Sequence, residues 1–201
     1  MQKHFTFLLI SIFSLLIISC KNETKTEEAE NSAPEIVQKR AQKKVLTQED
    51  IEELNSLMYQ IVTTSEVKNF ASHAVTAELA DLLSKQKGPF MVFAPKNTAF
   101  ESLSAEKKKF YSMPENKTKL QEMLKSHIVE GSMNEEALRE AIKKSGKAKL
   151  NTLAGIPLTA SKSGDDIIIS DGKGRKAKLE KNVYETSNGV LYIVDGVLNV
   201  N

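Results

Sequence analysis

The sequence predicts one α+β domain, with helices packed around a twisted β-wedge or sandwich. Three observations carry that prediction. Apolar residues recur at helical spacing through the front half of the chain, the period changes to two from Leu150 onward, and no segment repeats. Aromatic residues are only 6% of the chain and Trp is absent, so the core must be mainly aliphatic.

The folded part is expected to begin at Thr47. Thr47-Gln48-Glu49-Asp50 reads as a capping box with Asp in place of the usual Glu. Ile51, Leu54, Met58 and Ile61 follow at helical spacing. Val67, Phe70, Ala71, Ala74 and Val75 form a second helical stripe, and Leu79, Leu82 and Leu83 continue it to Gly88-Pro89. Phe90 to Ala94 is a short apolar run, read as a buried strand that Pro95 ends for want of a ladder donor. Helical pattern returns at Phe100 and Leu103, then at Leu120, Met123, Leu124 and Ile128. Ser132-Met133-Asn134-Glu135 reads as a capping box ahead of Leu138 and Ile142, with Lys143, Lys144 and Gly146 suiting the helix end.

Behind it, Ile156 and Leu158 alternate around Pro157, which suggests an edge position. Ile167 to Ile169 is a strand, Asp171 to Gly174 a turn, and Ala177 and Leu179 alternate with lysines. Asn188-Gly189 is a strong two-residue hairpin signal. Val190 to Val194 and Val197 to Val200 close the chain.

The N-terminus has a different logic. Lys3 supplies a positive start, Phe5 to Ile18 is almost wholly apolar, and Ile17-Ile18-Ser19-Cys20 ends on a small residue before the only cysteine. That pattern is a secretory signal, too short for a membrane span of about 20 residues. The last four residues also resemble the lipobox of bacterial lipoproteins, which implies cleavage before Cys20 and lipid on that residue. Residues 1–19 are then the signal peptide. Residues 20–46 are a tether, poor in large apolar residues, and 47–201 are the folded domain. Lys21 after the cysteine, with no retention Asp, implies the outer membrane of a bacterial envelope, on its surface or periplasmic face.

Three stretches together resemble the fasciclin-like domain family. They are Gly88 to Phe100, Lys125 to Gly131, and Asn188 to Leu198. The resemblance covers roughly residues 66–200 and implies a single fasciclin-like domain. It implies a strand running through Asp195, a bulge at Gly196, and a hydrogen-bonded Asp195. Where the family carries a Tyr-His dipeptide with an adhesive role in animal members, this chain has Ser126-His127. Physical reading adds that Asn97 or Thr98 can cap the helix leading to Phe100, and that His127 makes a buried hydrogen bond.

Chemistry is sparse. There is no Gly-x-Ser-x-Gly elbow, phosphate-binding loop or His-Glu-x-x-His. Beyond Cys20 no thiolate remains for a disulfide or metal site, and His73 and His127 each lack a neighbouring His. No cofactor is expected. Gly172 to Ala177 mimics a dinucleotide fingerprint, but the alternation after it reads as a hairpin strand without the helix N-terminus that a pyrophosphate needs. A net charge of +2 gives no argument for nucleic acid. Lys173, Arg175, Lys176 and Lys178 form a local basic run. It reads either as a solvated strand edge whose charges discourage pairing or as a patch for an anionic glycan or lipopolysaccharide. The sequence therefore points to a non-enzymatic, lipid-anchored envelope module that mediates adhesion or contacts an unidentified protein or glycan. The alternative is a carrier of a small apolar ligand or lipid.

Overall fold

A computed structural model of the chain describes residues 45–200. The Thr47 capping box forms as the sequence suggests: its side chain accepts from the Asp50 N–H, and the Asp50 carboxylate returns to the Thr47 backbone. The helix it starts, α1, covers Gln48–Leu54 and buries none of its residues. Ile51 and Leu54 therefore stay outside the core, contrary to the stripe that joins them to Met58 and Ile61. The reason is a break at Asn55-Ser56, where buried Ser56 caps a second helix, α2, Leu57–Thr63. Leu57, Met58 and Ile61 of α2 are buried. A 3-10 turn leads into α3, Lys68–Thr76, which buries Phe70, Ala71 and Ala74 but leaves Val75 exposed. Next comes α4, Ala80–Lys85.

The first strand, β1, runs Phe90–Pro95, with Pro95 as its last residue. Helices α5 (Asn97–Glu101), α6 (Ala105–Ser112) and α7 (Lys117–Lys125) follow. Ile128 does not extend α7 but opens β2, Ile128–Glu130. Helix α8 spans Glu135–Ser145; its cap is Asn134, not Ser132, with the Asn134 side chain accepting from the Ala137 N–H. It ends on Gly146 at a left-handed φ of 75°. Four antiparallel-paired strands follow: β3 (Lys147–Leu150), β4 (Leu158–Ser163), β5 (Asp166–Ser170) and β6 (Lys176–Thr186). The last strand, β7, is Gly189–Val194.

These strands form one sheet in the order β2-β1-β7-β6-β5-β4-β3, in which only β1 and β7 pair in parallel. Strand β6 bends at a register shift between Leu179 and Val183; its front part pairs with β5 and its rear part with β7. The sheet thereby folds into a wedge with two cores. Phe90, Val92 and Ala94 of β1 and Leu191 and Ile193 of β7 face the helices α2 to α7. Met91 and Phe93, with Val190, Tyr192 and Val194, face α8 and the inner side of β3 to β6. Every residue of β1 and β7 is buried, as expected of strands covered on both faces. Burying each large side chain stabilises the fold by about 1.5–3 kcal/mol.

The hairpin between β6 and β7 is present, but its two loop residues are Ser187 and Asn188. Gly189 instead pairs with Thr186 on one side and with Phe90 on the other. A Cβ at Gly189 would run into the Phe90 carbonyl and come 2.9 Å from Leu57 Cδ1. This glycine serves close strand approach rather than turn conformation. Strand β7 also stops at Val194, so the strand and bulge implied for Asp195-Gly196 are replaced by a bend, and the irregularity lies in β6. Val197 to Val200 form no strand but are buried as an irregular tail.

Gly189→Ala is expected to lower the unfolding free energy by about 3 kcal/mol or more, because backbone must move to admit the methyl group. Urea denaturation checks this: the midpoint should fall at unchanged slope.

Candidate functional site

The residues that carry the family resemblance converge on the β1–β7 seam. Asn188 is 6% exposed. Its Oδ1 accepts from the Leu57 N–H at 2.8 Å, and its Nδ2 donates to the Leu83 and Gln86 carbonyls, each at 3.0 Å. Its own carbonyl accepts from the Phe90 N–H at 3.0 Å. One side chain thus satisfies an orphan donor at the start of α2 and acceptors at the end of α4. Neighbouring Ser187 reinforces the junction, donating from its N–H to the Asn55 carbonyl and from its hydroxyl to that of Glu52.

Asn97 works in the same way and not as the sequence suggests. It is the first residue of α5, whose N-cap position is Lys96 and carries no side-chain cap. The Asn97 Oδ1 instead accepts from the Asn69 N–H at 3.0 Å, and its Nδ2 donates to the Ser65 carbonyl at 2.9 Å. It caps α3, a helix distant in sequence. Sequence spacing held no signal for this, because a cap supplied from 28 residues away leaves no local pattern.

His127 is fully buried. Leu198 donates its N–H to Nε2 at 3.0 Å, so Nε2 carries a lone pair and the ring proton sits on Nδ1, facing the Met123 carbonyl at 2.9 Å. The imidazole is therefore neutral. Burial pushes its pKa down to about 4, against smaller upward pulls from the Met123 carbonyl and Asp171. The His127 carbonyl also accepts from the Phe93 N–H at 2.9 Å. This residue ties α7 to β1 and to the C-terminal tail. Ser126 is equally buried, and its hydroxyl donates to the Met123 carbonyl at 2.6 Å. The Ser126-His127 dipeptide is interior on both residues.

Asp195 Oδ1 accepts from the Lys178 N–H at 2.6 Å, and the Asp195 N–H donates to the Lys178 carbonyl at 3.0 Å. This exchange extends the β6–β7 ladder past the end of β7 through a side chain. Asp171 is the polar anchor that the sequence reading overlooked. It is 3% exposed. Its Oδ1 accepts from the Lys173 and Arg175 N–H groups at 2.8 and 3.1 Å, and its Oδ2 from the Asn199 N–H at 3.0 Å. The Asp-Gly dipeptide signals the loop half of that role; the bond to the tail has no local signature. Tyr192 stacks on Phe93 with ring centroids 5.3 Å apart and donates its hydroxyl to the Met133 carbonyl at 2.7 Å. Burial pushes this phenol well above its ordinary range.

The remaining residues singled out in the sequence lie apart. His73 stacks on Phe100 at 4.8 Å in the helical layer. Lys173 and Arg175 stand on the exposed β5–β6 loop, and Lys176 and Lys178 on β6. Gly172 to Ala177 form that hairpin, with no helix following. Cys20 lies outside the described residues. Among the described residues no cluster of three or more His, Cys, Asp or Glu side chains is placed to hold a metal ion, and no helix is long and apolar enough to cross a membrane.

This arrangement is an α+β wedge sewn together by two amides, an imidazole and two carboxylates. It coincides with a family model, the fasciclin domain, which matches residues 65–200. The chain belongs to the fasciclin domain family. It is 34% identical to "Protein sll1483" of Synechocystis sp. over 61% of each chain. Transforming growth factor-beta-induced protein ig-h3 of Sus scrofa is 30% identical over 69% of this chain and 19% of its own length. Periostin of Homo sapiens is 28% identical over 69% of this chain and 15% of its own. The chain thus spans about three-fifths of the first of these relatives and less than a fifth of the other two. Among solved structures, a FAS1 domain pair from the insect cell adhesion molecule Fasciclin I matches with a TM-score of 0.64 at 13% identity, over 71% of this chain and 50% of that one.

Two outcomes test this site. Asn188→Ala should cost about 3 kcal/mol or more, since it strands several buried partners at once; a thermal or urea melt reads the loss. For His127 the sign follows from its lowered pKa. The unfolded ring titrates near 6.5, so the unfolded state binds the extra proton between about pH 6.5 and pH 4. The stability it contributes is complete above that window, falls as pH drops through it, and levels off below, amounting to on the order of 3 kcal/mol. Denaturation across the window should show this slope in the native chain and a shallower one in His127→Phe.

Proposed function

We propose that this chain is a non-enzymatic, lipid-anchored cell-envelope module that works by adhesive contact with a protein or glycan partner. The observation that carries the reading is the fasciclin wedge itself, shared with a domain pair from an insect cell adhesion molecule. The polar groups of the site support it. His127, Asn97, Asn188 and Asp171 are engaged with backbone and hold the fold together. Cys20 at the end of an apolar leader is the attachment point, and Lys21 behind it favours the outer membrane.

The carrier alternative needs a cleft between helices and sheet that side chains leave unfilled. A hollow of about 210 Å³ lies among α3, α5, α6 and α7, lined by His73, Phe100, Leu103, Tyr111 and Met123. That is below the roughly 300–1,000 Å³ of pockets that enclose small ligands. A second hollow, of about 330 Å³, lies between α8 and strands β4 and β5, but Arg139, Glu140, Lys143 and Lys162 line it beside Ile142 and Ile167. Four charged side chains do not suit an apolar ligand, so surface contact is the better-supported mode.

Cys20→Ala is expected to move the protein from carbonate-washed membranes to the soluble fraction and to end labelling by palmitate. Pelleting and labelling at the native level would overturn the anchor. Deletion should reduce attachment of cells to surfaces or to each other; unchanged attachment would count against adhesion.

A further inference from the structure

The basic run on β6 does not guard a sheet edge. Strand β6 is interior: β5 pairs with its front part on one side, and on the other the chain at Asp195 and Gly196 lies against Lys178 and Lys176. A Cβ at Gly196 would come 3.0 Å from the Lys176 carbonyl. Edge protection therefore leaves Lys176 and Lys178 unexplained.

The register across four strands shows what they belong to. Lys147 pairs with Ser161, Ser161 with Ile168, and Ile168 with Lys178. Lys149 pairs with Thr159, Thr159 with Ser170, and Ser170 with Lys176. The row between them, Ala148, Ala160, Ile169 and Ala177, is buried in the wedge. Both lysine-ended rows consequently point to the outer face, because residues two apart share a side and their neighbours take the other. Two lysines stand at each end of a platform whose middle is Thr159, Ser161, Ser170 and half-buried Ile168. Three strand spacings separate the ends by about 14 Å, and the lysines of each pair are about 7 Å apart along their strand. Among the described residues Lys147, Lys149 and Lys176 have no ion pair, and Lys178 reaches Asp166 only at 3.9 Å. Arg175 extends the positive field from the adjoining loop.

We propose that this outer face of β3 to β6 binds an acidic polysaccharide laid across the strands, its carboxylates met by Lys147 and Lys149 at one end and Lys176 and Lys178 at the other. The middle of the platform decides among polyanions. Hydroxyls of Thr159, Ser161 and Ser170 match a hydroxylated chain, and Ile168 offers the apolar spot on which a sugar ring rests. Single-stranded nucleic acid looks for aromatic stacking platforms, and none of these residues is aromatic. An anionic bilayer is held best where basic residues flank a sizeable apolar face, and Ile168 alone does not make one. This deepens the adhesion reading by giving its glycan partner a chemical class and a face.

The test uses the full chain in uncharged detergent, titrated with oligogalacturonate, a polymer of carboxylate-bearing sugars, and with neutral dextran. Binding should be confined to oligogalacturonate and weaken as salt rises. Converting Lys147, Lys149, Lys176 and Lys178 together to Gln should weaken it by about tenfold to a hundredfold. These side chains leave the surface, so circular dichroism should be unchanged. A control with Lys107, Lys109, Lys119 and Lys125 converted to Gln makes the same change in net charge on the helices; it should bind as the native chain does. Equal loss in both variants, no binding of oligogalacturonate, or a preference for anionic phospholipid vesicles over it would overturn the proposal. Each result is separate from the anchor and adhesion assays. Adhesion that survives the four β-face substitutions overturns this face and leaves the adhesive module standing.

Discussion

Six consecutive registers, Phe90–Pro95 against Gly189–Val194, join the two halves of the chain in parallel at the centre of the wedge. Parallel strands cannot be closed by a tight turn, so nearly all helices and the whole antiparallel layer are either strung between these two strands or placed against them. Closure of so long a loop costs only logarithmically more than closure of a short one. What it requires is that both strands be buried on both faces, and they are. Alternate residues feed the helical core and the wedge core, so both layers pack against the seam. The close approach is enforced at its start by two glycines: a Cβ at Gly88 would meet the Asn188 carbonyl, and one at Gly189 the Phe90 carbonyl.

The helices around the seam are short. Those of α1 to α7 run from five to nine residues, well under the length of about 12–15 residues at which isolated helices become even marginal in water. Their ends need partners from elsewhere, and the seam supplies them. Asn188, next to β7, satisfies α2 and α4, and Asn97, two residues past β1, satisfies α3. His127 and Asp171 do the same for the C-terminal tail. Each is a polar group whose burial would cost free energy if left unpaired. Each therefore rewards only the arrangement in which seam, helices and tail meet together, which is how these four groups come to specify one packing.

Sequence reasoning reached what is periodic or local. The strand at Phe90, the αL glycine after α8, the Thr47 capping box and the hairpin at residues 171–175 all follow from spacing or from residues next to each other. It failed where a distant partner decides. The Asn188-Gly189 pair predicts the right hairpin but one residue out of register, because Asn188 is fixed by helix ends and Gly189 by β1. The stripe from Ile51 to Ile61 reads as one helix because Ser56 looks like an ordinary polar position until it is seen buried and capping. Family resemblance implies a strand through Asp195, whereas β7 stops at Val194 and the side chain of Asp195 stands in for its carbonyl as the acceptor from Lys178. Of the candidate site residues, Asp195 and His127 are hydrogen-bonded as the sequence reading expects, Asn97 caps a different helix, and the basic residues sit on no edge.

These placements bear on where recognition resides. The apolar residues of the family stretches are mostly interior, whereas Thr98, Glu130 and Asp195 are exposed; the Ser126-His127 dipeptide, buried on both residues, presents no side chain to a partner. Ser126 fills interior space and bonds the Met123 carbonyl. A scaffold whose signature stretches largely serve to hold it together is free to vary outside them. The outer face of β3 to β6 is such a place. Its inward row of alanines and Ile169 is constrained by the core, while its outward rows lie outside both cores. Of the lysines at the ends of the outward rows, Lys147 and Lys149 lie on the edge strand β3, where charge also discourages pairing, but Lys176 and Lys178 lie on interior β6, where edge protection does not account for them.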